Sequence, residues 1–424
     1  MSAPQPKSNP SICMLIWHFP PVLGGAELQC LRLSEQLAQR HHNIFVVTSY
    51  HPMTESKESL NGINVYGLKS GYETVYNLWQ KLRPFIKGNR PKFETIDAFA
   101  KTSETKEKPI TDLFAKIFLE FIPAVIFSIQ AFGVIIYLGI RKKIDIIHVH
   151  EAHWIAALGV CAARFTNRKV IVKEAGSGLY RSYNGQPALL KSITKKADCF
   201  IAISSEIKKE LIESHIPQVR IKSIPNGVAI PDNCWRDHGN LEFTVIFVGN
   251  LSQQPWKGID VLLNGWALCI QQINPAKLLI VGGGDATVLK KQAQELNIQN
   301  SVAFLGRSNN VSELLMKSDV FILPSRSEGM SNALLEAMAI GLPCIATNIS
   351  GNSDLIQNNL NGILIEKENV IELSQALIRF KEDIFFAKQC GQNARETVSK
   401  HCSFSVVADD YVGLYHRLLT GKQL

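Results

Sequence analysis

The chain has 424 residues, of which 46% are hydrophobic and 19% are charged, and this balance predicts two globular domains with substantial cores. The formal net charge of +8 suits ligands that carry phosphate, or an anionic membrane surface. The sequence contains no RNP-like, zinc-finger or helix-turn-helix signature, so it gives no support for a nucleic-acid ligand.

Short apolar runs alternate with helical patterns along the first half, which predicts an α/β domain with a mainly parallel sheet. The polar N-terminal tail leads directly into the first run, which argues against a secretory signal. The charged end of the stretch 71–108 is typical of a solvated loop, and that stretch is predicted to be irregular. The predicted strands of this half are residues 12–17, 44–48, 145–149, 169–172 and 198–204.

Two adjacent glycines, Gly24 and Gly25, follow the first strand and open a helix that is predicted to run to Arg40. Their backbone could approach a phosphate or a reacting sugar at the helix N-terminus. A plain tight turn is the alternative. Glu27 is interpreted as a first-turn carboxylate that interacts favourably with the positive end of the helix dipole.

The segment 121–140 carries no charge and is long enough to span a bilayer. A span would separate residues 12–25 from the strand at 145–149, although both are predicted to belong to one sheet. The segment therefore has three interpretations: a buried core helix, a helix that lies in a membrane interface, or a true span. The interfacial interpretation rests on the adjacent basic residues Arg141, Lys142 and Lys143.

The alternation of a strand places His148 and His150 on one face, with His150 nearer the carboxyl end. A histidine there could orient an acceptor hydroxyl or shuttle a proton, and a hydrogen-bonded structural histidine is the alternative. The sequence has no HExxH or similar spacing, so no metal site is predicted. Residues 173–178, which follow the fourth strand, are interpreted as another loop at the same edge.

The boundary between the domains is predicted at the turn-forming run Pro225-Asn226-Gly227 and the polar segment 231–240. The predicted organisation is an N-terminal domain at 1–224, a hinge at 225–240 and a C-terminal domain at 241–403. Residues 404–424 contain a helical pattern, and their return to the first domain is left open.

A second series of apolar runs begins after residues 221–224, and it predicts the strands 243–249, 277–281, 302–305, 319–323, 343–347 and 362–365. Gly249 and Asn250 end one of these strands, and Gly283 follows the next. Lys257 lies where its ammonium could neutralise a diphosphate leaving group, with a solvated loop lysine as the alternative.

The most informative motif is the run from Glu328 to Glu336, which follows a buried strand and leads into a helix predicted at 332–340. The free N–H groups of that helix favour a bound anion, and Gly329 lets the anion approach the main chain. A diphosphate fits this description. The carboxylates of Glu328 and Glu336 are acceptors that suit sugar hydroxyls.

These residues together resemble the family 4 retaining glycosyltransferases, whose GT-B fold has two facing Rossmann-like α/β domains with a cleft between them. Glu328 and Glu336 match the EX7E pattern of that family and are followed by the run Ala337 to Pro343 (AMAIGLP). The resemblance is strongest over 244–365. It implies that Glu328 contacts the donor sugar and Glu336 the nucleotide ribose.

The resemblance also implies roles for residues elsewhere in the chain. Glu328, His150 and Lys257 would be catalytic, with Lys257 as the cation for the diphosphate and His150 on the acceptor side. The family usually has a Gly-Arg pair where this chain has Gly249 and Asn250, and we hypothesise that Arg307 compensates. The implied donor-binding residues are Gly24, Gly25, Gly249, Asn250, Lys257, Gly283, Arg307, Glu328, Gly329, Met330, Ser331, Asn332 and Glu336.

The predicted reaction is therefore transfer of a glycosyl group from a nucleoside-diphosphate sugar to a hydroxyl acceptor, with retention of the anomeric configuration. No cofactor beyond this co-substrate and no metal are expected, and the acceptor is expected to be a glycan or lipid-linked molecule. Two alternatives remain: a sugar-nucleotide epimerase of similar fold, and a sugar-nucleotide-binding protein without transferase activity. The nine scattered cysteines, which form no CxxC pair, favour a cytoplasmic location, with peripheral contact at the inner face of the membrane.

Overall fold

The computed structural model describes residues 9–19, 24–49, 57–69, 121–141, 143–175, 183–235, 242–253 and 255–422. The chain divides into two compact units, one formed by residues 1–203, 207–224 and 408–424, and one by 204–206 and 225–407. The predicted irregular stretch 71–108, the end of the predicted loop 173–178, and Lys142 lie outside the described residues.

The first unit is built on an eight-stranded sheet in the order β3-β4-β2-β1-β5-β6-β7-β8. All neighbouring strands run parallel except β3 and β4. Strands β1, β5 and β7 are buried along their whole length, as expected of parallel strands covered on both faces. The bounds are β1 Ile12–Leu15, β2 Ile44–Ser49, β3 Lys57–Leu60, β4 Ile63–Leu68, β5 Ile146–Val149, β6 Lys169–Glu174, β7 Cys199–Ala202 and β8 Ile221–Ser223.

The antiparallel hairpin of β3 and β4 is an element that the sequence analysis missed. Asn61 and Gly62 connect the two strands, and both have positive φ, at 51° and 82°. An Asn-Gly pair between two short runs is the signal of a two-residue hairpin turn, so the pattern was present in the sequence. Strand β6 is longer than predicted, because it continues through Lys173 and Glu174, which were interpreted as part of a loop.

The helices of the first unit are α1 Gly25–Gln39, α2 Ile122–Ile140, α3 Trp154–Thr166, α4 Ala188–Thr194 and, from its third residue onward, α5 Ser205–Glu213, with short 3₁₀ turns at Tyr183–Gly185 and Gln218–Arg220. Helix α2 is the apolar segment predicted at 121–140. Within the described part of the chain it is the single helix that is long and apolar enough to cross a membrane, and a third of it is buried.

The second unit contains a six-stranded, wholly parallel sheet in the order β11-β10-β9-β12-β13-β14. Its strands are β9 Phe243–Val248, β10 Ala276–Val281, β11 Val302–Gly306, β12 Val320–Leu323, β13 Cys344–Thr347 and β14 Ile363–Ile365. Fully buried side chains such as Phe247, Phe321 and Trp266 fill its core. The prediction of two Rossmann-like α/β domains is confirmed, because both sheets contain the doubly wound order.

The helices of the second unit are α6 Ile259–Ile273, α7 Thr287–Glu295, α8 Val311–Met316, α9 Asn332–Ile340, α10 Ser350–Ser353, α11 Val370–Glu382 and α12 Ile384–His401, with a 3₁₀ turn at Leu251–Gln253. The last helix, α13, spans Phe404–Thr420. Its first turn belongs to the second unit, and the part from Ala408 onwards belongs to the first.

Candidate active site

The candidate site lies where the strand order of the second sheet reverses. Strand β9 lies between β10 on one side and β12 on the other, so the connections after β9 and β12 leave in opposite directions along the sheet. Such a switch point opens a crevice at the carboxyl ends of the strands, where open α/β sheets bind ligands. The loop with Lys257 follows β9, and the loop with Glu328 follows β12. The fold therefore brings together two motifs that are far apart in sequence.

Lys257 and Glu328 form an ion pair in this crevice. The Nζ of Lys257 lies 2.7 Å from Oε1 of Glu328, and the same oxygen accepts a hydrogen bond of 2.7 Å from the Ser325 hydroxyl. The side chains are 15% and 9% exposed. Because both groups are largely withdrawn from water, the Coulomb attraction between them is stronger than in an ion pair on the surface. The two residues predicted to act on the donor are thus direct neighbours.

Arg326 fixes the relative position of these two loops. Its guanidinium makes a bidentate pair with Asp260, at 2.8 and 2.7 Å, and its Nε donates to Glu368 at 2.7 Å. Its backbone N–H donates to the carbonyl of Trp256 at 2.7 Å. These contacts join the loop before α6 to the loop after β12. Arg326 therefore holds the loop of Lys257 beside the loop of Glu328 through its bonds to Asp260, Glu368 and the backbone.

The charges around Arg326 reinforce one another. Hydrogen bonds to Asp260 and Glu368 raise the pKa of the Arg326 guanidinium, so it stays charged. Burial raises the pKa of Asp260, but hydrogen bonding to Arg326 and its charge outweigh burial, and the net effect is a lowered pKa. Arg326 was not among the predicted site residues. No spacing rule connects residues 66 positions apart in the chain, so the topology alone reveals this contact.

Two glycines allow the loops of the site to pack closely. Gly258 has a φ of 62°, and a Cβ there would clash with the carbonyl oxygen of Pro324. A Cβ on Gly351 would clash with the carbonyl oxygen of Gly329. Since only glycine fits such close approaches without strain, these positions place α6 and α10 directly against the β12 loop.

The predicted anion cradle is the N-terminus of α9. Ser331 is its N-cap, and the Ser331 hydroxyl accepts a hydrogen bond from the N–H of Leu334 at 3.3 Å. The first N–H groups of a helix have no acceptor within the helix itself, and here the side chain and carbonyl of Ser331 accept from those of Leu334 and Leu335. Asn226 contacts both neighbouring side chains. Its backbone N–H donates to Sδ of Met330 at 3.3 Å, and its side-chain amide donates to Oδ1 of Asn332 at 3.2 Å.

Glu336 lies in the second turn of α9 and is the other carboxylate of the motif. Burial raises its pKa above the ordinary value for glutamate. An ionised carboxylate in such a position gains from a ligand that donates hydrogen bonds to it. This property agrees with the predicted contact to a ribose, which stays a prediction.

Hydrogen bonds fix the loop after β9 at the Gly249-Asn250 pair. Gly249 donates its N–H to the carbonyl of Val281 at 3.0 Å, and the Asn250 side chain accepts from the N–H of Ser252 at 2.9 Å. A Cβ placed on Gly283 would lie 3.4 Å from Nε of Arg307. The guanidinium of Arg307 is therefore beside the glycine turn that follows β10, at the same edge of the sheet. Its compensating role remains a hypothesis.

In the first unit, the equivalent switch point lies between β1 and β5. Gly24 is the N-cap of α1, and a Cβ on Gly24 would clash with the carboxylate of Glu27. The Glu27 side chain thus folds back over the start of its own helix, where it faces the positive end of the dipole. The structure therefore places a carboxylate beside the glycine pair that was predicted to approach a phosphate or a sugar.

His150 lies in the interior of the first unit. It is 1% exposed, its Nε2 lies 3.3 Å from Sδ of Met14, and its ring stacks on that of His148 at 4.4 Å. Burial lowers the pKa of His150 well below the ordinary value, as do the charges of His148 and Lys173. This placement does not present the ring to a hydroxyl from solvent, and the acceptor-side role stays a prediction.

A second histidine at the end of β5 is more accessible, and the sequence analysis did not single it out. His153 Nε2 lies 2.6 Å from Oε2 of Glu151, and both side chains are about one-sixth exposed, at 15% and 16%. His153 is also the N-cap of α3, where its Nδ1 accepts from the N–H of Ile155. Its position, as the first residue before a helix that follows a strand, was the available signal.

Within the ranges that the structure describes, no three His, Cys, Asp or Glu side chains are grouped so that they could hold a metal ion. All nine cysteines are free thiols.

Comparison with known proteins agrees with this geometry. Residues 23–230 match the family Glycosyltransferase Family 4, and residues 237–397 match Glycosyl transferases group 1. An uncharacterized glycosyltransferase of Methanocaldococcus jannaschii is 26% identical over an alignment that covers 95% of this chain and 97% of that protein. The UDP-Gal:alpha-D-GlcNAc-diphosphoundecaprenol alpha-1,3-galactosyltransferase of Escherichia coli is 30% identical, covering 57% of this chain and 68% of that enzyme.

Solved structures show the same fold. HepE of Anabaena, crystallised with UDP and glucose, superposes with a TM-score of 0.69 at 17% sequence identity, covering 96% of this chain and 100% of that one. Two doubly wound α/β domains of this kind define the GT-B class of glycosyltransferases. Within that class, the chain belongs to glycosyltransferase family 4. The resemblance drawn from the Glu328 to Glu336 motif is confirmed for family and fold.

Proposed function

We propose that this protein transfers a glycosyl group from a nucleoside-diphosphate sugar to a hydroxyl of a glycan or lipid-linked acceptor, with retention of configuration. The observation that carries the proposal is the convergence of Lys257, Glu328 and the N-terminus of α9 at the switch point of the second sheet. A cation, a carboxylate and a set of N–H donors at one place match the chemistry of a sugar attached to a diphosphate.

The leaving diphosphate is the group that needs stabilisation in this reaction. Negative charge develops on the oxygen that departs from the sugar, and prearranged donors in a site shielded from water stabilise it. The ammonium of Lys257 and the first N–H groups of α9 supply that stabilisation. Because these groups come from the protein itself, we propose that transfer does not require a metal ion. Turnover that is unchanged in excess chelator would agree with this.

Glu328 serves the sugar half of the donor in this proposal. Its Oε1 already accepts from Lys257 and Ser325, and a carboxylate also has a second oxygen that accepts hydrogen bonds. A sugar hydroxyl can bind that oxygen while the ammonium moves toward the diphosphate. The carboxylate then orients the donor, unlike the acid and base of a glycosidase, which flank the bond that breaks.

The donor base and acceptor are inferred from relatives. The E. coli relative is named for a UDP-sugar and a diphosphoundecaprenol-linked acceptor, and the Anabaena structure holds UDP. We therefore propose a UDP-sugar donor as the first candidate and an acceptor that is a glycan on a lipid diphosphate. Assembly of a surface polysaccharide or glycolipid on the cytoplasmic side is the process that such a reaction would serve.

The test begins with thermal shift measurements on a panel of nucleotide sugars, because a ligand that binds the native state raises its apparent stability. The stabilising donor is then incubated with lipid-linked glycan acceptors, and the anomeric configuration of the product is determined by NMR. We expect Glu328→Ala to lower turnover at least about 100-fold while the native secondary structure is retained.

Glu382→Ala, on the exposed side of α11, is the matched control and should retain full activity. The proposal would be refuted if none of the nucleotide sugars raised the melting temperature. Equal turnover of the Glu328→Ala variant and the parent would also refute it. Release of an isomerised sugar nucleotide without any acceptor would instead identify an epimerase. The Arg307→Ala variant tests compensation for Asn250, which an unchanged donor affinity would rule out.

A further inference from the structure

Helix α2 has two faces of the same apolar character, one buried and one exposed. The exposed face is formed by every fourth residue and then Ile140: Phe121, Val125, Ile129, Gly133, Tyr137 and Ile140. Phe121, Ile129 and Ile140 are 64%, 69% and 66% exposed. A spacing of four residues keeps side chains on one side of a helix. The exposed side is therefore a continuous apolar stripe about 28 Å long, at 1.5 Å per residue.

The opposite face attaches the helix to the body of the first unit. Phe127, Ala131 and Ile135 are fully buried. The ring of Phe127 meets Trp17, which follows β1, edge to face at 4.8 Å. A membrane span would have to pull these side chains out of the core and expose the sheet. Burial of one face is therefore incompatible with a helix that crosses the bilayer, despite its sufficient length.

The apolar surface continues onto the neighbouring helix α3. Phe165 is 70% exposed, and its ring packs edge to face on Phe132 of α2 at 6.0 Å. Isolated exposed apolar side chains are ordinary, but a contiguous patch of this kind marks an interaction surface.

Basic groups surround one end of the stripe. The guanidinium of Arg141 and the ammonium of Lys143 lie 5.7 and 5.8 Å from the ring centre of Tyr137. Arg168 donates to the carbonyl of Gly139 at 2.8 Å. The sequence has no Asp or Glu from residue 121 to 144, or from 152 to 173. The surface therefore combines an apolar stripe, a tyrosine at its border and a group of basic side chains.

We propose that the outer face of α2 docks this protein on the surface of an anionic bilayer, with the stripe entering the acyl boundary and the basic end contacting lipid headgroups. Apolar side chains with an interfacial tyrosine suit the headgroup boundary. The cations suit anionic lipids, each adding to the attraction within a Debye length. This arrangement would hold the first unit at the surface from which a lipid-linked acceptor is presented. Docking itself does not depend on the proposed transferase activity.

The test is flotation of the full chain with vesicles of phosphatidylcholine alone, or mixed with phosphatidylglycerol. We expect binding to the mixed vesicles and little to the neutral ones. The double variant Ile129→Gln/Ile140→Gln should bind at least about tenfold more weakly, because it removes exposed apolar area. The matched control is Ile371→Gln/Val288→Gln, which changes two equally exposed side chains of the second unit and should bind like the parent.

A second variant tests the charges. Arg141→Gln/Lys143→Gln should lower binding to the anionic vesicles roughly tenfold and reduce its dependence on salt. Parent protein that stays with the soluble fraction, or apolar variants that bind as the parent does, would overturn the proposal.

Two further outcomes would assign the stripe to another occupant. A dimer without vesicles that the Ile129→Gln/Ile140→Gln variant abolishes would identify a second copy as the partner. Retention in the membrane after alkaline carbonate would identify a true span. Either outcome would overturn docking, whereas loss of transferase activity alone would bear only on the proposed function.

Discussion

The ammonium nitrogen of Lys257 lies 2.7 Å from Oε1 of Glu328, so the groups proposed to serve the diphosphate and the sugar hold each other in place. Their separation of 71 residues in sequence is bridged by adjacent strands β9 and β12. Glu328 and a bound diphosphate would compete for the ammonium of Lys257. Substitutions of Lys257 and Glu328 should therefore affect binding and transfer differently.

The first prediction separates these two effects. Lys257→Met should weaken binding of the free nucleoside diphosphate about 10- to 100-fold, the value of a lost hydrogen bond to a charged group. Glu328→Gln should leave that binding unchanged or tighter, because it frees the ammonium, while it lowers transfer. Isothermal titration with the diphosphate, followed by kinetics with the sugar donor, measures both. Lys291→Met, which removes a surface lysine that pairs with Glu295, is the control. Equal losses of diphosphate affinity in both site variants would contradict these roles.

The second prediction concerns Arg326, which positions the site through its contacts with Asp260 and Glu368. Arg326→Lys should lower the melting temperature and donor affinity, because an ammonium cannot reproduce the bidentate pair. Asp260→Asn should have a similar effect. The double variant should be less damaging than the sum of the single variants, with a coupling energy of about 1 kcal/mol or more. Additive losses in denaturant unfolding would show that the contact does not hold the loops together.

The sequence predicted the secondary-structure elements of this site better than it predicted the contacts between residues of different elements. The helix expected at 332–340 has those bounds in the structure, because the serine cap and the strong helix formers are local signals. Arg326 was missed because its partners lie on other loops. The position of His150 was also beyond the sequence, since strand alternation gives the face of a side chain but not the depth of the packing that covers it.

Other elements had local signals that were incompletely interpreted. Asn61 and Gly62 were the local signal of the β3–β4 hairpin, and this signal was not interpreted. The bounds of helix α2 were predicted nearly correctly. Its interpretations as a core helix and as an interfacial helix, however, were treated as mutually exclusive. The structure shows that one face is buried and the other exposed. Uniformly apolar composition hides this division, because it removes the amphipathic pattern that normally reveals it.

The third prediction concerns the pH dependence that Glu336 adds to stability. Burial raises its pKa in the folded state, so the unfolded state loses its proton first as the pH rises. Stability is then lost as the pH rises from the unfolded pKa to the folded pKa, and the penalty persists above that range. Glu336→Gln should therefore be more stable than the parent at neutral pH, and this gain should vanish in acid. Chemical denaturation at several pH values measures it.

The same variant should bind the nucleotide sugar more weakly, because it loses the carboxylate predicted to receive the ribose hydroxyls. Stability and binding would then move in opposite directions, as is common for residues kept for function. Glu382→Gln on the surface of α11 should change neither quantity. A Glu336→Gln variant that is less stable at neutral pH than in acid, relative to the parent, would contradict the assigned burial penalty.

The fourth prediction concerns two buried tyrosines of α13 that differ in their hydrogen bonds. The Tyr415 hydroxyl lies 2.9 Å from Nδ1 of His148, whereas the Tyr411 hydroxyl has no hydrogen-bond partner in the described part of the chain. Tyr415→Phe should cost about 1–3 kcal/mol of unfolding free energy, because it leaves a buried imidazole nitrogen unsatisfied. Tyr411→Phe should be neutral or stabilising. Equal effects of the two substitutions would show that the contact with His148 contributes nothing.

His148 also gives this helix a dependence on pH. Burial, with a smaller contribution from the charge of Lys173, lowers the pKa of His148 from 6.5 to about 3. Because the folded pKa is depressed, the contribution of His148 is complete above the unfolded value and is lost as the pH falls from about 6.5 toward 3. His148→Gln, which keeps a polar group but cannot bind a proton in this range, should flatten the acid limb of the stability profile. If the stability of the variant fell as steeply in acid as that of the parent, the acid sensitivity would belong to other groups.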